Sequence, residues 1–488
     1  MRPWRANLVL VLLLGLGAII VGRLVFLQIV NQGFYKALAQ GQQNISAFSH
    51  GERGAIFVQD KNGDLYALAS NLRIPFAFVS PAEVENPEAA AEKLSGILQI
   101  EKEEIVLKLQ NTNSLFEVLK KRVSEEEARQ IQELKLAGVY VAQEQVRSYP
   151  QAALAAHVVG FTNQDGAGQY GIEENSNDLL EGKEGIKARD GADVVLTLDY
   201  NIQSVAESLL EKAEASLGIE EGTIIVMDPS SGNILALAST PTFDPNSYSK
   251  VESIGIFQNP AIQKIYEPGS IFKPITMAAA LDTGAVTPET TYVDEGIVKI
   301  GGRKIYNYDL RTWGKRTMTE VLEFSINTGA VFAERQLGHE KFLEYLEKFE
   351  IFEPTNIELA GEVFSRNAEF KKGYEINFST AAFGQGIEMT PLQILKAFSA
   401  FANNGLLVDP HIIEGKSERS PVGRQVISPR TASQVTSMLT SVVQSGFAKT
   451  AQIPGYHIAG KTGTAQISWS ALGVAKSGYS DKTIQSFI

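Results

Sequence analysis

The first 30 residues are dominated by apolar side chains. Residues 6–30 are apolar apart from Asn7, Arg23 and Gln28. A helix rises about 1.5 Å per residue, so this segment reaches roughly 37 Å and can cross a bilayer. We therefore predict a transmembrane anchor over residues 6–30. A cleaved signal peptide is the alternative, but the small-residue pattern at 37–39 lies far from the apolar run.

Residues 31–195 alternate short strand-like and helical patterns. Residues 51–58 lead into the turn-rich segment 60–64, which predicts a β-hairpin. Ser124 and Glu127 form a capping-box pattern that opens a polar helix to about Leu134. No catalytic constellation occurs in this part of the chain, so we interpret 31–195 as a spacer or interaction module.

The pattern changes near residue 190. A strand is predicted over 193–198, an amphipathic helix over 202–217 and a hairpin over 223–238. Helical patterns then fill about 270–450, and strand character returns at 456–467. Strands at both ends of a helical region predict one mixed α/β domain over 196–488, closed by strands that are distant in sequence.

The composition excludes several classes of protein. Hydrophobic residues make up 44% and charged residues 20%, which supports a large packed core. The absence of cysteine rules out disulfides and cysteine catalysis, and the five histidines lack metal-ligand spacing. We therefore expect no metal and no cofactor. The net charge of −12 argues against a nucleic-acid partner.

The few cations near the apolar segment predict its orientation. Arg2 and Arg5 precede the segment, and only Lys36 follows it before His50. The positive-inside rule then places residues 1–5 in the cytoplasm and the large C-terminal part outside, as a single-pass protein of the plasma or inner membrane.

One short motif suggests a nucleotide-binding protein. Residues 455–462 match the P-loop pattern GxxxxGK[ST]. A P-loop must run into a helix whose N-terminus receives phosphate, whereas residues 463–467 read as a strand. We therefore reject this interpretation.

Three other short motifs occur in a fixed order. Ser270 and Lys273 are three residues apart at the start of a predicted helix, so the lysine amine can reach the serine hydroxyl. Ser325 and Asn327 follow, and then Lys461-Thr462-Gly463. Each pattern alone is weak, because SxxK also occurs at 247–250 and SxN at 231–233. A serine nucleophile needs a base, and a lysine can serve if burial or a nearby cation lowers its pKa.

The ordered triple resembles the active-site set of penicillin-recognising serine enzymes. With its flanking segments, the chain resembles class B penicillin-binding proteins, the monofunctional peptidoglycan transpeptidases, and the segment 266–270 looks closer to the division-specific branch. The resemblance implies an elongated α+β pedestal module before residue 196. It also implies a serine β-lactamase-like domain with an antiparallel sheet flanked by helices. The flanking segments that match are 23–29, 53–56, 196–203, 227–232, 241–246, 266–270, 384–393 and 403–405.

The resemblance implies a role for each motif residue. Ser270 attacks the penultimate D-Ala of a stem peptide, Lys273 accepts its proton, and Ser325 relays a proton to the leaving amine. Asn327 holds the substrate amide and contacts Lys273. Lys461 supplies positive potential. Thr462, Gly463 and Thr464 bind the substrate, and the two threonines contact its carboxylate. The N–H groups of Ser270 and Thr464 form the oxyanion hole.

The same resemblance implies partners and leaves alternatives. The implied ligands are D-Ala-D-Ala stem peptides and β-lactams. The implied partners are the membrane, a membrane glycan polymerase, divisome or elongasome proteins, and a second copy in a homodimer. A D,D-carboxypeptidase or a serine β-lactamase would use the same triple with water as acceptor. A bifunctional glycosyltransferase would need a second catalytic domain before residue 195. A non-catalytic divisome scaffold would be expected to lose Ser270 or Lys273.

The resemblance also predicts that the chain is incomplete. In the family, the strand that carries the Lys-Thr-Gly motif is followed by a second strand, a central third strand and a C-terminal helix. Residues 482–488 look like the opening of the second strand, where the sequence stops. We expect the natural chain to extend by about 50–100 residues, a domain-size estimate. The hairpin at 222–240 and the strand at 456–467 should then not join one continuous sheet.

Overall fold

A computed structural model describes residues 14–20, 51–182, 190–415, 423–469, 471–476 and 478–488. Residues 1–5 and most of the predicted anchor over 6–30 lie outside the described residues. Residues 14–20 are helical and exposed. In the part of the chain that is described, no helix is both long enough and apolar enough to span a bilayer.

The chain forms two compact units that do not follow a single linear boundary. The first contains Ser70–Ser148 with flanking segments, and the second contains Ala55–Ala69, Tyr149–Leu180 and Asp193–Ile488. The predicted module at 31–195 is therefore divided. The physical reason is strand pairing, because the strand at 56–59 pairs in parallel with the strand at 194–199.

The first unit packs three helices against strands. Strand β2 runs from Leu65 to Val79, and its second part pairs antiparallel with β3 (Glu117–Lys120) and with β4 (Val139–Ser148). The capping box predicted at Ser124 and Glu127 is confirmed, and both hydrogen bonds of the box are present. The remaining elements are α1 (Pro87–Leu98), α2 (Lys102–Leu109) and α3 (Glu125–Glu133).

The second unit begins with β1 (Ile56–Gln59), which pairs with the first part of β2 and confirms the predicted hairpin. Several short helices and strands follow β1 in this unit, and after them come a longer strand, a long helix and a hairpin. These are α4 (Ala156–Val159), β5 (Phe161–Thr162), β6 (Gly168–Gln169), α5 (Gly171–Asn175), α6 (Asn177–Leu180), β7 (Val194–Asp199), α7 (Tyr200–Leu217), β8 (Gly222–Met227) and β9 (Ile234–Thr240).

The rest of the second unit is mostly helical. Its elements are α8 (Pro260–Gln263), α9 (Lys273–Asp282), β10 (Thr291–Asp294), β11 (Ile297–Ile300), β12 (Arg303–Tyr306), β13 (Gly314–Thr317), α10 (Met318–Glu323), α11 (Asn327–Leu337), α12 (His339–Lys348), α13 (Glu375–Ala381), α14 (Pro391–Ala402), β14 (Leu406–Leu407), β15 (Arg424–Gln425), α15 (Pro429–Gln444), β16 (Thr462–Ser468) and β17 (Tyr479–Phe487).

Helix α9 lies at the centre of this unit. Its residues from Lys273 to Leu281 are all buried, and it packs against α11 and α15. A helix that is apolar on every side must be enclosed by other elements. The only lysine of this helix stands at its first position, beside the apolar core formed by residues such as Phe272 and Ile275.

The second unit contains the two hairpins that the sequence predicts should not join one sheet. Strands β8 and β9 form one two-stranded ladder, and β16 and β17 form another. No ladder joins these two hairpins within the described ranges, as expected. The predicted strand at 456–467 begins only at Thr462, because Pro454 and Gly455 form a turn. The expected C-terminal extension stays a prediction.

Candidate active site

Ser270 lies at the entrance to the buried helix. It occupies a single 3-10 turn, Gly269–Phe272, which runs directly into α9. The half-buried Ser270 Oγ is 3.0 Å from Lys273 Nζ. Residues three apart meet on one side of such a turn, which brings a hydroxyl and an amine together as the sequence predicts.

The Lys273 amine is enclosed by hydroxyl and carbonyl oxygens. Only 1% of Lys273 is exposed, and its Nζ donates to the Ser325 carbonyl at 2.6 Å and contacts Ser325 Oγ at 3.1 Å. Burial, and then repulsion from the neighbouring Lys461, hold the pKa of this amine well below its usual value. The amine is therefore available in its neutral form as a base.

Ser325 connects the two buried lysines. Its Oγ lies 3.1 Å from Lys273 Nζ and 3.0 Å from Lys461 Nζ. The residue lies between α10 and α11 and adopts a left-handed backbone with φ of 53°. Such a conformation is costly for a residue with a side chain and occurs where surrounding structure enforces it, often at functional sites. The hydroxyl is placed to pass a proton between the amines.

Lys461 is completely buried at the start of strand β16. Its Nζ donates to Ser325 Oγ and, at 2.9 Å, to the carbonyl of Thr462. Burial lowers the pKa of this amine to about 7. The segment continues as a strand from Thr462, so the rejection of the P-loop interpretation is confirmed.

Strand β16 approaches the turn of Ser270 through two glycines. A Cβ at Gly463 would lie 2.8 Å from Ile271 Cγ2, and a Cβ at Gly269 would lie 3.2 Å from the Thr464 carbonyl. Gly269 also has φ of 59°. Thr462 is half-buried, and Thr464 is exposed with its hydroxyl donating to Gln485 at 2.9 Å. The strand edge therefore lies directly beside the serine.

Asn327 begins helix α11 but is not bonded to Lys273. Its Nδ2 donates to the Tyr306 carbonyl at 2.9 Å. The resemblance implies a contact between Asn327 and Lys273, and among the described residues no hydrogen bond runs from Lys273 Nζ to Asn327. The reason is that the Lys273 amine already contacts Ser270 Oγ and both oxygens of Ser325.

Sequence reasoning missed a second set of contacts behind Ser270. The Glu267 carboxylate accepts from the Tyr479 hydroxyl at 2.9 Å and from the Gly386 N–H at 3.1 Å. Burial raises the pKa of both Glu267 and Tyr479. A Cβ at Gly384 would lie 2.1 Å from the Gly269 carbonyl, so this glycine permits close packing behind the turn. Glu267 and Gly384 belong to segments that carry the resemblance, whereas nothing in the sequence indicates Tyr479.

The chemistry of the site is that of acyl transfer. A hydroxyl beside a neutral amine, with a second hydroxyl and a second amine behind it, can form and resolve an ester. Within the described ranges, no group of three or more acidic or histidine side chains is arranged to hold a metal ion.

Comparisons with known families match both parts of the chain. Residues 222–488 match the penicillin-binding protein transpeptidase domain. Residues 49–192 match the penicillin-binding protein dimerisation domain. The first match alone covers more than half of the sequence.

Individual relatives extend over nearly the whole chain. Stage V sporulation protein D of Bacillus subtilis is 32% identical over 95% of this chain and 76% of its own length. The Pseudomonas aeruginosa protein named "Probable peptidoglycan D,D-transpeptidase PbpC" is 30% identical over 99% of this chain and 87% of its own. A crystal structure of penicillin-binding protein 3 from Mycobacterium tuberculosis with aztreonam is 27% identical. It has a TM-score of 0.67 and covers 90% of this chain and 86% of that one.

Proposed function

The chain belongs to the penicillin-binding protein transpeptidase family, and from that premise we propose that Ser270 is the acylated nucleophile of a peptidoglycan D,D-transpeptidase. The observation that carries this assignment is the buried Lys273 amine, which lies 3.0 Å from Ser270 Oγ with no acidic partner among the described residues. A lysine kept neutral by burial is a base for a serine nucleophile.

The first half-reaction forms an ester on Ser270. Its Oγ attacks the carbonyl carbon of the penultimate D-Ala, and its proton passes to Lys273. The C–N bond to the terminal D-Ala then breaks, and Ser325 relays the proton to the leaving amine. The contacts of Ser325 Oγ with both lysine amines support this path. Two N–H groups, those of Ser270 and Thr464, stabilise the oxyanion, each donor being typically worth about 3 kcal/mol.

The second half-reaction transfers the acyl group to an amine of a neighbouring stem peptide. That amine attacks the ester carbonyl carbon and forms a new C–N bond, and the C–O bond to Ser270 breaks. The proton lost by the amine returns through the same relay and restores the Ser270 hydroxyl. Substrate is held by Lys461, Thr462, Gly463 and Thr464 along strand β16 and by the Asn327 amide. The exposed Thr464 hydroxyl and the strand edge beside Ser270 support this placement. A β-lactam is a cyclic amide. Attack by Ser270 opens its ring, and the serine then carries the β-lactam as a stable ester.

The same proposal covers the cellular setting. We place the catalytic unit outside the plasma or inner membrane, held by residues 6–30, with residues 1–5 in the cytoplasm. The partners are a membrane glycan polymerase and divisome or elongasome proteins, and the segment 266–270 favours division. The family match of residues 49–192 supports an association of two copies through this part.

The test supplies a donor peptide ending in D-Ala-D-Ala together with a labelled D-amino acid as acceptor. A transpeptidase releases D-Ala and incorporates the label, and benzylpenicillin blocks both. Release of D-Ala without incorporation would indicate a carboxypeptidase, and rapid hydrolysis of benzylpenicillin would indicate a β-lactamase. A chain that neither turns over peptide nor binds benzylpenicillin covalently would be a scaffold. Ser247→Ala is the matched control for Ser270→Ala, because Ser247 and Lys250 have the same spacing as Ser270 and Lys273 but lie outside the site.

A further inference from the structure

A carboxylate is buried beside the segment that carries Ser325 and Asn327. Asp294 ends strand β10 and is 2% exposed. Among the described residues, no lysine, arginine or histidine forms an ion pair with it. A buried carboxylate without a cationic partner is costly unless hydrogen-bond donors satisfy it. The position of this group therefore depends on the donors that surround it.

Four donors from separate positions converge on Asp294. One oxygen accepts from the Thr328 hydroxyl at 2.6 Å and from the Gly296 N–H at 2.9 Å. The other accepts from Asn307 Nδ2 at 2.8 Å and from the Trp313 N–H at 2.7 Å. Two donors on each oxygen account for the burial of the charge, since hydrogen bonds to a charged group are about twice as strong as neutral ones.

Two of the residues that donate to Asp294 are chain neighbours of Asn327 itself and of Tyr306, whose carbonyl binds the Asn327 side chain. Thr328 follows Asn327 in the chain, and Asn307 follows Tyr306, whose carbonyl accepts from Asn327 Nδ2. Asn307 Oδ1 also accepts from the Thr328 backbone N–H at 3.1 Å, which closes a ring of three buried residues, Asp294, Asn307 and Thr328. Because a backbone carbonyl can only accept, Tyr306 fixes which end of the Asn327 amide is the nitrogen. The second Nδ2 hydrogen and Oδ1 of Asn327 are then left to bind the carbonyl and the N–H of a substrate amide.

We propose that Asp294 is a positioning residue whose carboxylate orients the Asn327 amide toward the substrate by tying Thr328 to the Tyr306–Asn307 segment. The proposal rests on the role of Asn327 proposed above. Asp294 touches no reacting atom. Its removal should act only through Asn327 and should leave the Ser270–Lys273 pair intact.

A double-mutant cycle on the full chain tests this coupling. The measured quantity is the rate of acylation by benzylpenicillin, whose side-chain amide Asn327 would hold. Asp294→Asn should slow acylation by up to about 100-fold, the scale of a misplacement near 1 Å. The same change made in an Asn327→Ala background should have almost no further effect. Acylation by 6-aminopenicillanic acid, which lacks the acyl amide, should change much less. Independent effects that multiply, or equal losses for the two β-lactams, would overturn the proposal.

A matched pair at Thr328 covers the case in which Asp294→Asn does not fold. Thr328→Val removes the hydroxyl at constant size, and Thr328→Ser keeps it. The valine variant should be slow with benzylpenicillin and the serine variant close to wild type, while equal rates would contradict the proposal. Failure of the underlying assignment is recognised separately. If Asn327→Ala is acylated as fast as wild type, Asn327 has no role to be positioned for. If Asn327→Ala slows acylation but its effect multiplies with that of Asp294→Asn, the role of Asn327 stands and only the positioning role of Asp294 is excluded.

Discussion

Lys273 and Lys461 present two buried amines to the single hydroxyl of Ser325. Both amines have pKa values below the usual value for lysine, Lys461 at about 7 and Lys273 with a further contribution from the charge of Lys461. A lowered pKa favours the neutral form of an amine. We therefore expect Lys273 to act as the base and Lys461 as the positive centre at neutral pH.

The rate of acylation should depend on pH in a bell shape. Lys273 must be neutral, so the rate rises with pH through its lowered pKa. Lys461 must be charged to attract the β-lactam carboxylate, so the rate falls again as pH passes its pKa near 7. In Lys461→Met the rising limb should move to higher pH, since Lys273 loses a repulsive neighbour. The measurement is the pH profile of labelling by fluorescent penicillin, and an unmoved rising limb would contradict this coupling.

Removal of the base should slow the reaction without unfolding the chain. Lys273→Ala should reduce acylation by roughly 10²–10⁴-fold, the usual value of general-base assistance. Lys250→Ala is the control, because Lys250 is exposed and belongs to the second SxxK pattern, at residues 247–250, outside the site. Stopped-flow labelling measures the rate, and thermal unfolding checks the fold. An unchanged rate in Lys273→Ala would remove this lysine from the mechanism.

At the scale of elements, the active-site turn depends on close packing against the loop at 384–386. The Gly269 N–H donates to the Gly384 carbonyl at 2.9 Å, and Glu267 accepts from Gly386. The strand bridge between Tyr266 and Met389 continues this contact. The turn is therefore held from behind, while strand β16 approaches its other side.

Gly384→Ala should disturb this packing far more than an equivalent change elsewhere. Gly384 has φ of 80° and a Cβ there would meet the Gly269 backbone at 2.1 Å. Gly284 has φ of 73° with nothing within 4 Å, so Gly284→Ala suffers only the backbone strain, about 1–2 kcal/mol. Penicillin labelling should fall sharply in the first variant and stay normal in the second. Equal labelling of both would show that the close approach does not matter.

Local patterns in the sequence predicted many helices and strands correctly. They did not predict contacts between residues that are far apart in the sequence. The capping box predicted at Ser124 is present because both of its partners lie within four residues. The pairing of Ser270 with Lys273 follows from the same proximity. By contrast, Tyr479 meets Glu267 from 212 residues away, and the Tyr306 carbonyl takes the amide of Asn327. Such contacts depend on the packing of the whole unit, which no local pattern specifies.

At the scale of the whole molecule, the division into two units arises from strand pairing. Strand β2 contributes to both, since Ala55–Ala69 belong to the second unit and Ser70–Ser148 to the first. The boundary predicted at residue 195 stays a prediction, and the family matches of residues 49–192 and 222–488 lie on either side of it.

The proposed orientation in the membrane can be tested with single cysteines, because the chain has none of its own. In protoplasts, Lys304→Cys should react with a membrane-impermeant maleimide, since position 304 is exposed on the catalytic unit. Pro3→Cys should react only after the membrane is permeabilised. The reverse pattern would mean that the positive-inside reading of Arg2 and Arg5 is wrong.

Ser270 is the residue proposed to form the acyl-enzyme, and peptide mapping of the benzylpenicillin adduct tests this assignment. The full chain is incubated with benzylpenicillin, digested and analysed by mass spectrometry. We expect one added penicillin mass on the peptide that contains Ser270, and no adduct in Ser270→Ala, whose fold should be unchanged because only one hydroxyl is removed. An adduct on another serine such as Ser247, or an adduct that persists in Ser270→Ala, would contradict it.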